Sequence, residues 1–266
     1  MKVSILSISF MIVSLIIGFL IPIVLAIYNK KKYKSSLLSF FTGCGVMLVF
    51  AFILEQIIHV IVLSSPIGLT IQNNFWFYAF YGGLMAGLFE ETGRFLAMRF
   101  ILSKKVTDPH NALMYGAGHG GFEALVILGV GMINNLIYSV CINTGTTDIL
   151  TASLDEATKQ TFQAALDNLV NTSPFLFLAG PVERLAAVAA QIALSVLVWF
   201  AATQNGQMKW YFIAILLHFL LDAIVVIFSN IGVPIALIEV AIYIMALCIA
   251  FLAWKVWKQN VSEANE

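Results

Sequence analysis

Long apolar runs separated by short polar stretches dominate the chain. Seven of them run from about Val3 to Tyr28, Ser36 to Leu63, Phe75 to Leu102, Asn111 to Cys141, Phe175 to Thr203, Trp210 to Ser229 and Val233 to Trp257. Each is long enough to cross the ~30 Å hydrocarbon core of a bilayer as a helix, which takes about 20 residues. The pattern predicts an all-α fold: a polytopic transmembrane helix bundle of about seven spanning helices, forming a single integral membrane domain over residues 1–266. Pro22 predicts a bend in the first span. Residues 64–74 read as an uncharged turn, and the tail 258–266 as polar and frayed. The opening run outlasts the apolar part of a signal peptide, about 7–15 residues, and stops at a lysine cluster, so a retained first helix is expected.

The longest polar stretch, 142–174, carries a helix signal of its own. Ser153-Leu-Asp-Glu156 reads as a capping box. Leu154, Ala157, Phe162, Ala165, Leu166 and Leu169 then form an apolar stripe at helical spacing. This predicts an amphipathic helix on the outer surface, with a lid over a substrate as the sharper reading. Asn171-Thr-Ser173 is a glycosylation sequon only in a eukaryotic secretory setting.

Lysines orient the bundle. Lys30, Lys31, Lys32, Lys34, Lys104, Lys105 and Lys209 follow spans one, three and five, and Lys255 and Lys258 stand at the C-terminus. The stretches after spans two and six hold no lysine, and 142–174 holds Lys159 against Asp148, Asp155, Glu156 and Asp167. By the excess of basic residues on the cytoplasmic side, the N-terminus is expected outside and the C-terminus in the cytoplasm of a multi-pass cell-membrane protein.

Composition agrees with this reading. The 266 residues are 61% hydrophobic and 11% charged, whereas soluble domains carry about 25% charged residues. A net charge of zero gives no electrostatic footprint for nucleic acid. Cys44, Cys141 and Cys248 lack the paired spacing of a disulfide framework or a thiolate metal site. The expected partners are the lipid bilayer and a peptide or membrane-protein substrate, and no cofactor is assigned.

The candidate chemistry lies in the few ionisable residues inside the spans. Charged groups at bilayer depth cost ~2.5–3.5 kcal/mol each on insertion scales, and such residues are usually functional. Glu90-Glu-Thr-Gly-Arg94 places three of them on one helix face. His119 and Glu123, and His218 and Asp222, are i,i+4 pairs on two other spans. Counted from the predicted cytoplasmic ends at ~1.5 Å per residue, Glu90, His119, Glu123, His218 and Asp222 share one level. Glu55, His59, Glu183, Arg184 and Glu239 fall nearer the outer surface as a second layer. A carboxylate facing histidine can deprotonate water, and a second histidine can bind an oxyanion. No serine, cysteine or HExxH pattern supplies another nucleophile or a zinc motif, so water is the expected nucleophile. Glycines surround His119 in Gly116-Ala-Gly-His-Gly-Gly121, and Gly83 and Gly87 repeat the spacing. They suit close helix packing, or room for water and an extended peptide.

Glu90-Glu-x-x-Arg94, then Tyr115-x-x-x-His119, then His218-x-x-x-Asp222 resembles the three-motif signature of the CAAX-protease and bacteriocin-processing superfamily of glutamate-dependent intramembrane endopeptidases. The order, the three helices and the His119-Gly-Gly-Phe-Glu123 wording are most similar to its YhfC branch, a bacterial membrane peptidase family. The resemblance implies Glu90 as general base, supported by Glu91 and Arg94, with His119 sharing the water and His218 at the oxyanion site. Asp222 stands where the prenyl-protein proteases have asparagine. Being unable to donate when ionised, it would orient His218 or help bind a metal. Two histidines with Asp222 and Glu90 or Glu123 could hold Zn²⁺, so a metal-dependent peptidase is one alternative reading. A proton-coupled transporter and a non-catalytic scaffold are the others. The absence of internal repeats weighs against transport.

Overall fold

The computed structural model describes residues 2–262. It is helical throughout, with no strand among the described residues. In chain order the helices are α1 Ile5–Tyr33, α2 Leu37–Leu63, α3 Pro66–Gln72, α4 Phe75–Ala97, α5 His110–Thr144, α6 Asp148–Thr151, α7 Glu156–Asn171, α8 Pro174–Thr203, α9 Lys209–Asn230 and α10 Ile235–Ser262. Wider π-helical turns interrupt α2 at Met47–Glu55 and α5 at Leu125–Val130, and Met98–Leu102 extends α4. Six helices (α1, α2, α5, α8, α9 and α10) are long and apolar enough to cross a membrane. Helix α4 with its π extension matches them in length but carries Glu90, Glu91, Arg94 and Arg99. The chain is a multi-pass helical membrane protein, and the expected count of about seven differs from six by this one charged helix.

Four boundaries depart from the pattern. The 64–74 turn contains α3, because Ser65 is extended and Pro66 stands at the first helical position, where its missing N–H costs nothing. The lysine cluster does not end α1: Lys30, Lys31 and Lys32 lie in its last turn, where cations complement the helix dipole. The cap of α7 is Asp155 rather than Ser153. The Asp155 carboxylate accepts from the Thr158 amide at 3.0 Å, and this bond holds its pKa below the ordinary carboxylate value. The last helix runs on to Ser262, so residues 258–262 of the expected tail are helical, and 263–266 lie outside the described residues.

The chain divides into two compact units. The first comprises the chain up to Ile21 together with Ala124–Arg184. Its core joins Val3 and Met11 of the N-terminal segment to Leu169 and Phe177. Asn143 clamps that segment, accepting from the Val3 amide at 2.8 Å and donating to the Val3 carbonyl at 3.0 Å. Glu183 and Arg184 pair with each other in this unit.

The second unit comprises Pro22–Glu123 together with the chain from Leu185 onward. Its core centres on α8, where Leu194, Leu197 and Phe200 are wholly buried and Trp199 nearly so. Burying apolar surface gives little drive between helices already in lipid, so close backbone approach has to hold them. Glycines provide it. A Cβ on Gly83 would meet the Phe219 carbonyl at 2.6 Å, and one on Gly87 the Ile215 carbonyl at 2.8 Å, so α4 and α9 touch backbone to backbone. A Cβ on Gly116 would meet Ile192 Cα at 2.6 Å, and one on Gly120 the Gln191 Cβ at 2.8 Å, which seats α5 on α8. Gly43 faces the Tyr115 carbonyl, and Gly118 faces the Phe40 carbonyl. Neighbouring helices therefore stand against the glycines around His119, as the close-packing reading expects.

Adjacent glycines give a test. Gly82 has nothing within 4 Å of a built Cβ, whereas Gly83 abuts α9. Gly82→Ala should leave the thermal midpoint in detergent unchanged or raise it slightly, in line with alanine's ~1 kcal/mol advantage in a helix. Gly83→Ala should lower the midpoint by an amount corresponding to ~1–3 kcal/mol of overpacking. Equal shifts in both variants would remove this account of the α4–α9 contact.

Candidate active site

The glycine contacts decide which side chains meet. On α4, Gly87 is followed one turn later by Glu91, and the α9 backbone held against Gly83 and Gly87 carries His218 between Ile215 and Phe219. His218 Nδ1 lies 2.8 Å from Glu91 Oε1. On α5, the Gly116 and Gly120 contacts bring α8 alongside and with it Gln191. Asn74 fixes the start of α4 by accepting from the Trp76 and Phe77 amides at 3.0 and 3.3 Å.

Arg94 is fully buried. It does not pair with Glu90, the partner one turn back that the spacing also offered. Its Nε faces Glu91 Oε2 at 3.5 Å. Its two terminal nitrogens donate to Gln191, one to the backbone carbonyl at 3.1 Å and one to the side-chain Oε1 at 2.5 Å. Glu91 thereby spans Arg94 and His218, one oxygen to each, in full enclosure.

Glu90 is held from the other side. Its Oε2 accepts from His119 Nε2 at 2.9 Å and from Gln191 Nε2 at 2.9 Å. Gln191 Nε2 also donates to Glu123 Oε2 at 3.0 Å. Glu90 Oε1 accepts no hydrogen bond among the described residues and faces His218 Nε2 at 3.9 Å. Asp222 Oδ2 lies 3.6 Å from the same nitrogen, with the Asp222 side chain 41% exposed, so the cluster opens on that side. His119 is wholly buried, its Nδ1 has no hydrogen-bond partner, and it stacks on Tyr115 at a centroid separation of 5.8 Å.

All seven sequence candidates, Glu90, Glu91, Arg94, His119, Glu123, His218 and Asp222, thus enter one polar network in the second unit. Glu123 reaches it through Gln191. Glu55 lies within electrostatic reach of Glu90, His218 and Asp222. Its neighbours continue outward: His59 Nε2 is 3.1 Å from Glu55 Oε1, and His59 Nδ1 is 2.9 Å from the Tyr81 hydroxyl. Gln191 was missed from the sequence. Its one available signal was that it is a lone amide in the otherwise apolar stretch Leu185–Leu194.

His218 sits between carboxylates on both sides. A neutral imidazole has a single N–H. With Nδ1–H given to Glu91, the Nε2 lone pair would face Glu90 and Asp222 unless a proton or a metal ion stood between them.

A family model described as YhfC intramembrane metalloprotease matches residues 17–244. The membrane protein YhfC of Bacillus subtilis (strain 168) is 39% identical over 223 residues, covering 83% of this chain and 84% of the relative. No solved structure matches. The family description implies a metal. Two imidazoles and two carboxylates, from His119, His218, Glu90 and Asp222, are donors that zinc accepts, and the carboxylates around His218 Nε2 suit a cation there. Among the described residues, no three of these side chains are already grouped as a metal site.

Arg94→Ala would leave Glu91 and Gln191 buried without their cation. Removing one partner of a buried ion pair costs ~3–5 kcal/mol, and a loss of that size is expected in denaturant unfolding in micelles. Arg94→Lys should recover only part of it, because an ammonium lacks the planar fork that reaches Glu91 and Gln191 together. Wild-type stability in Arg94→Ala would show that this network does not hold the helices.

Proposed function

The chain belongs to the YhfC intramembrane metalloprotease family, and on that premise we propose that it is an intramembrane peptidase that hydrolyses a membrane-embedded or membrane-adjacent peptide with water activated by Glu90. The observation that carries this reading is the division between the two Glu90 oxygens. Oε2 is pinned by His119 and Gln191, whereas Oε1 is left beside His218 Nε2. A carboxylate fixed at one oxygen is a preorganised base at the other.

In this reading Glu90 Oε1 takes a proton from water as the hydroxide adds to the scissile carbonyl. His218, carrying a proton on each ring nitrogen with Nδ1–H held by Glu91, donates a hydrogen bond from Nε2–H to the oxyanion that forms. The protonated Glu90 then returns its proton to the departing amine, which closes the proton balance. His119 and Gln191 keep the carboxylate from rotating away, and Asp222 steadies the outward side of His218. Arg94 acts through Glu91 and Gln191, as a positioning residue.

A metal-dependent peptidase is the second reading, favoured by the carboxylates facing His218 Nε2 and by the family's description. His119, His218 and Glu90 or Asp222 would hold the ion, which would polarise the peptide carbonyl as a Lewis acid.

Cleavage of a membrane-peptide library by the purified protein in liposomes, followed by mass spectrometry, tests both. Glu90→Gln is expected to slow cleavage by roughly 10²–10⁴-fold, the usual worth of a general base, and His218→Ala to impair it strongly. Indifference to a zinc chelator would favour the glutamate reading. Loss on chelation with recovery on adding Zn²⁺ would favour the metal reading. Unchanged cleavage in both variants would sink the assignment.

The lysine distribution supports an N-terminus outside and a C-terminus in the cytoplasm. In a cysteine-free background in intact cells, an impermeant maleimide should label Asp167→Cys and spare Lys104→Cys. The reverse pattern would invert the topology.

A further inference from the structure

A cavity in the same unit lies apart from the carboxylate cluster. It has a volume of about 340 Å³, within the roughly 300–1,000 Å³ typical of ligand pockets. One end lies where α1 finishes, α5 begins and α10 makes its last turns. There Tyr33 stacks on His110 at 4.4 Å and Trp257 meets His110 edge-on at 5.1 Å. The other end is apolar and runs along α8 and α10, past Val196, Ala193, Ile192 and Ala250. An aromatic collar at helix ends above an apolar slot matches the layering of a bilayer, in which rings sit at headgroup level and chains lie beneath them.

The collar is basic. Lys32 Nζ stands 5.1 Å from the Tyr33 ring, and Lys258 Nζ stands 4.1 Å over the ring of Trp254, another lining residue. Lys30, Lys31 and Lys34 flank Tyr33 in sequence. Among the described residues, Asp108 stands at the collar and is engaged with His110 Nδ1 at 2.7 Å. We propose that this cavity binds one anionic phospholipid, its acyl chain along α8 and α10 and its headgroup between Lys32 and Lys258. The charge selects the headgroup, since each lysine near an anionic lipid surface adds attraction, and the slot selects a chain over a free phosphate. The inference stands independently of the peptidase reading.

The test is native mass spectrometry of the full-length protein in detergent, titrated with phosphatidylglycerol or phosphatidylcholine of identical chains. A one-to-one phosphatidylglycerol adduct should form at roughly tenfold lower concentration than the phosphatidylcholine adduct. Lys32→Gln with Lys258→Gln should erase that preference. Ala189→Phe, at an exposed lining position, should remove both adducts with the thermal midpoint unchanged. Should Ala189→Phe disturb folding, the lysine pair alone decides. Equal adducts unaffected by the lysine pair would overturn the proposal, as would displacement of the lipid by glycerol phosphate at matched concentration. An apolar helical peptide whose binding Ala189→Phe abolishes, with the phosphatidylglycerol adduct intact, would also overturn it and give the cavity to a peptide.

Discussion

A guanidinium with no access to water sets the terms for the polar interior. Arg94 is enclosed on a helix packed among apolar neighbours, and its charge and donors must be answered by protein. Glu91 answers the charge with one oxygen, which leaves its other oxygen for His218. Gln191 answers with both of its carbonyls, which turns its NH₂ toward Glu90 and Glu123. The orientation of each candidate side chain follows from where the previous one spent its hydrogen bonds.

That sequence of constraints requires helix backbones in near contact, and a bilayer offers little hydrophobic drive to bring them there. Bare glycine faces meet the need. Gly83 and Gly87 deliver His218 to Glu91, and Gly116 and Gly120 deliver Gln191 to Glu90. The polar network and the small-residue packing therefore depend on each other, because neither a buried charge without partners nor a glycine seam without polar contacts would fix these four helices.

Much of this was legible in the chain. Charges in an apolar run announce themselves through their cost, so Glu90, Glu91, Arg94, His119, Glu123, His218 and Asp222 could be picked out, and the long apolar runs gave the long helices with ends up to five residues off. The partner of Arg94 was hidden because Gln191 is neutral and ninety-seven positions away, beyond the reach of local spacing. The cap of α7 went to Asp155 because its carboxylate sits three residues before the Thr158 amide, whereas Ser153 lies two residues too early to cap that turn. The glycines around His119 suggested close packing, but what they pack against, Phe40, Ile192 and Gln191, lay on other helices and out of reach of local spacing.

The Gln191 amide has its oxygen toward a cation and its nitrogen toward two carboxylates, so it cannot turn over without opposing all three. Glutamate there would set a third carboxylate against Glu90 and Glu123. An uncharged residue at position 94 would release the amide that keeps those two in place. Neither position can drift alone through a lineage that keeps this cluster, and the two are bound to a shared history although three helices are threaded between them.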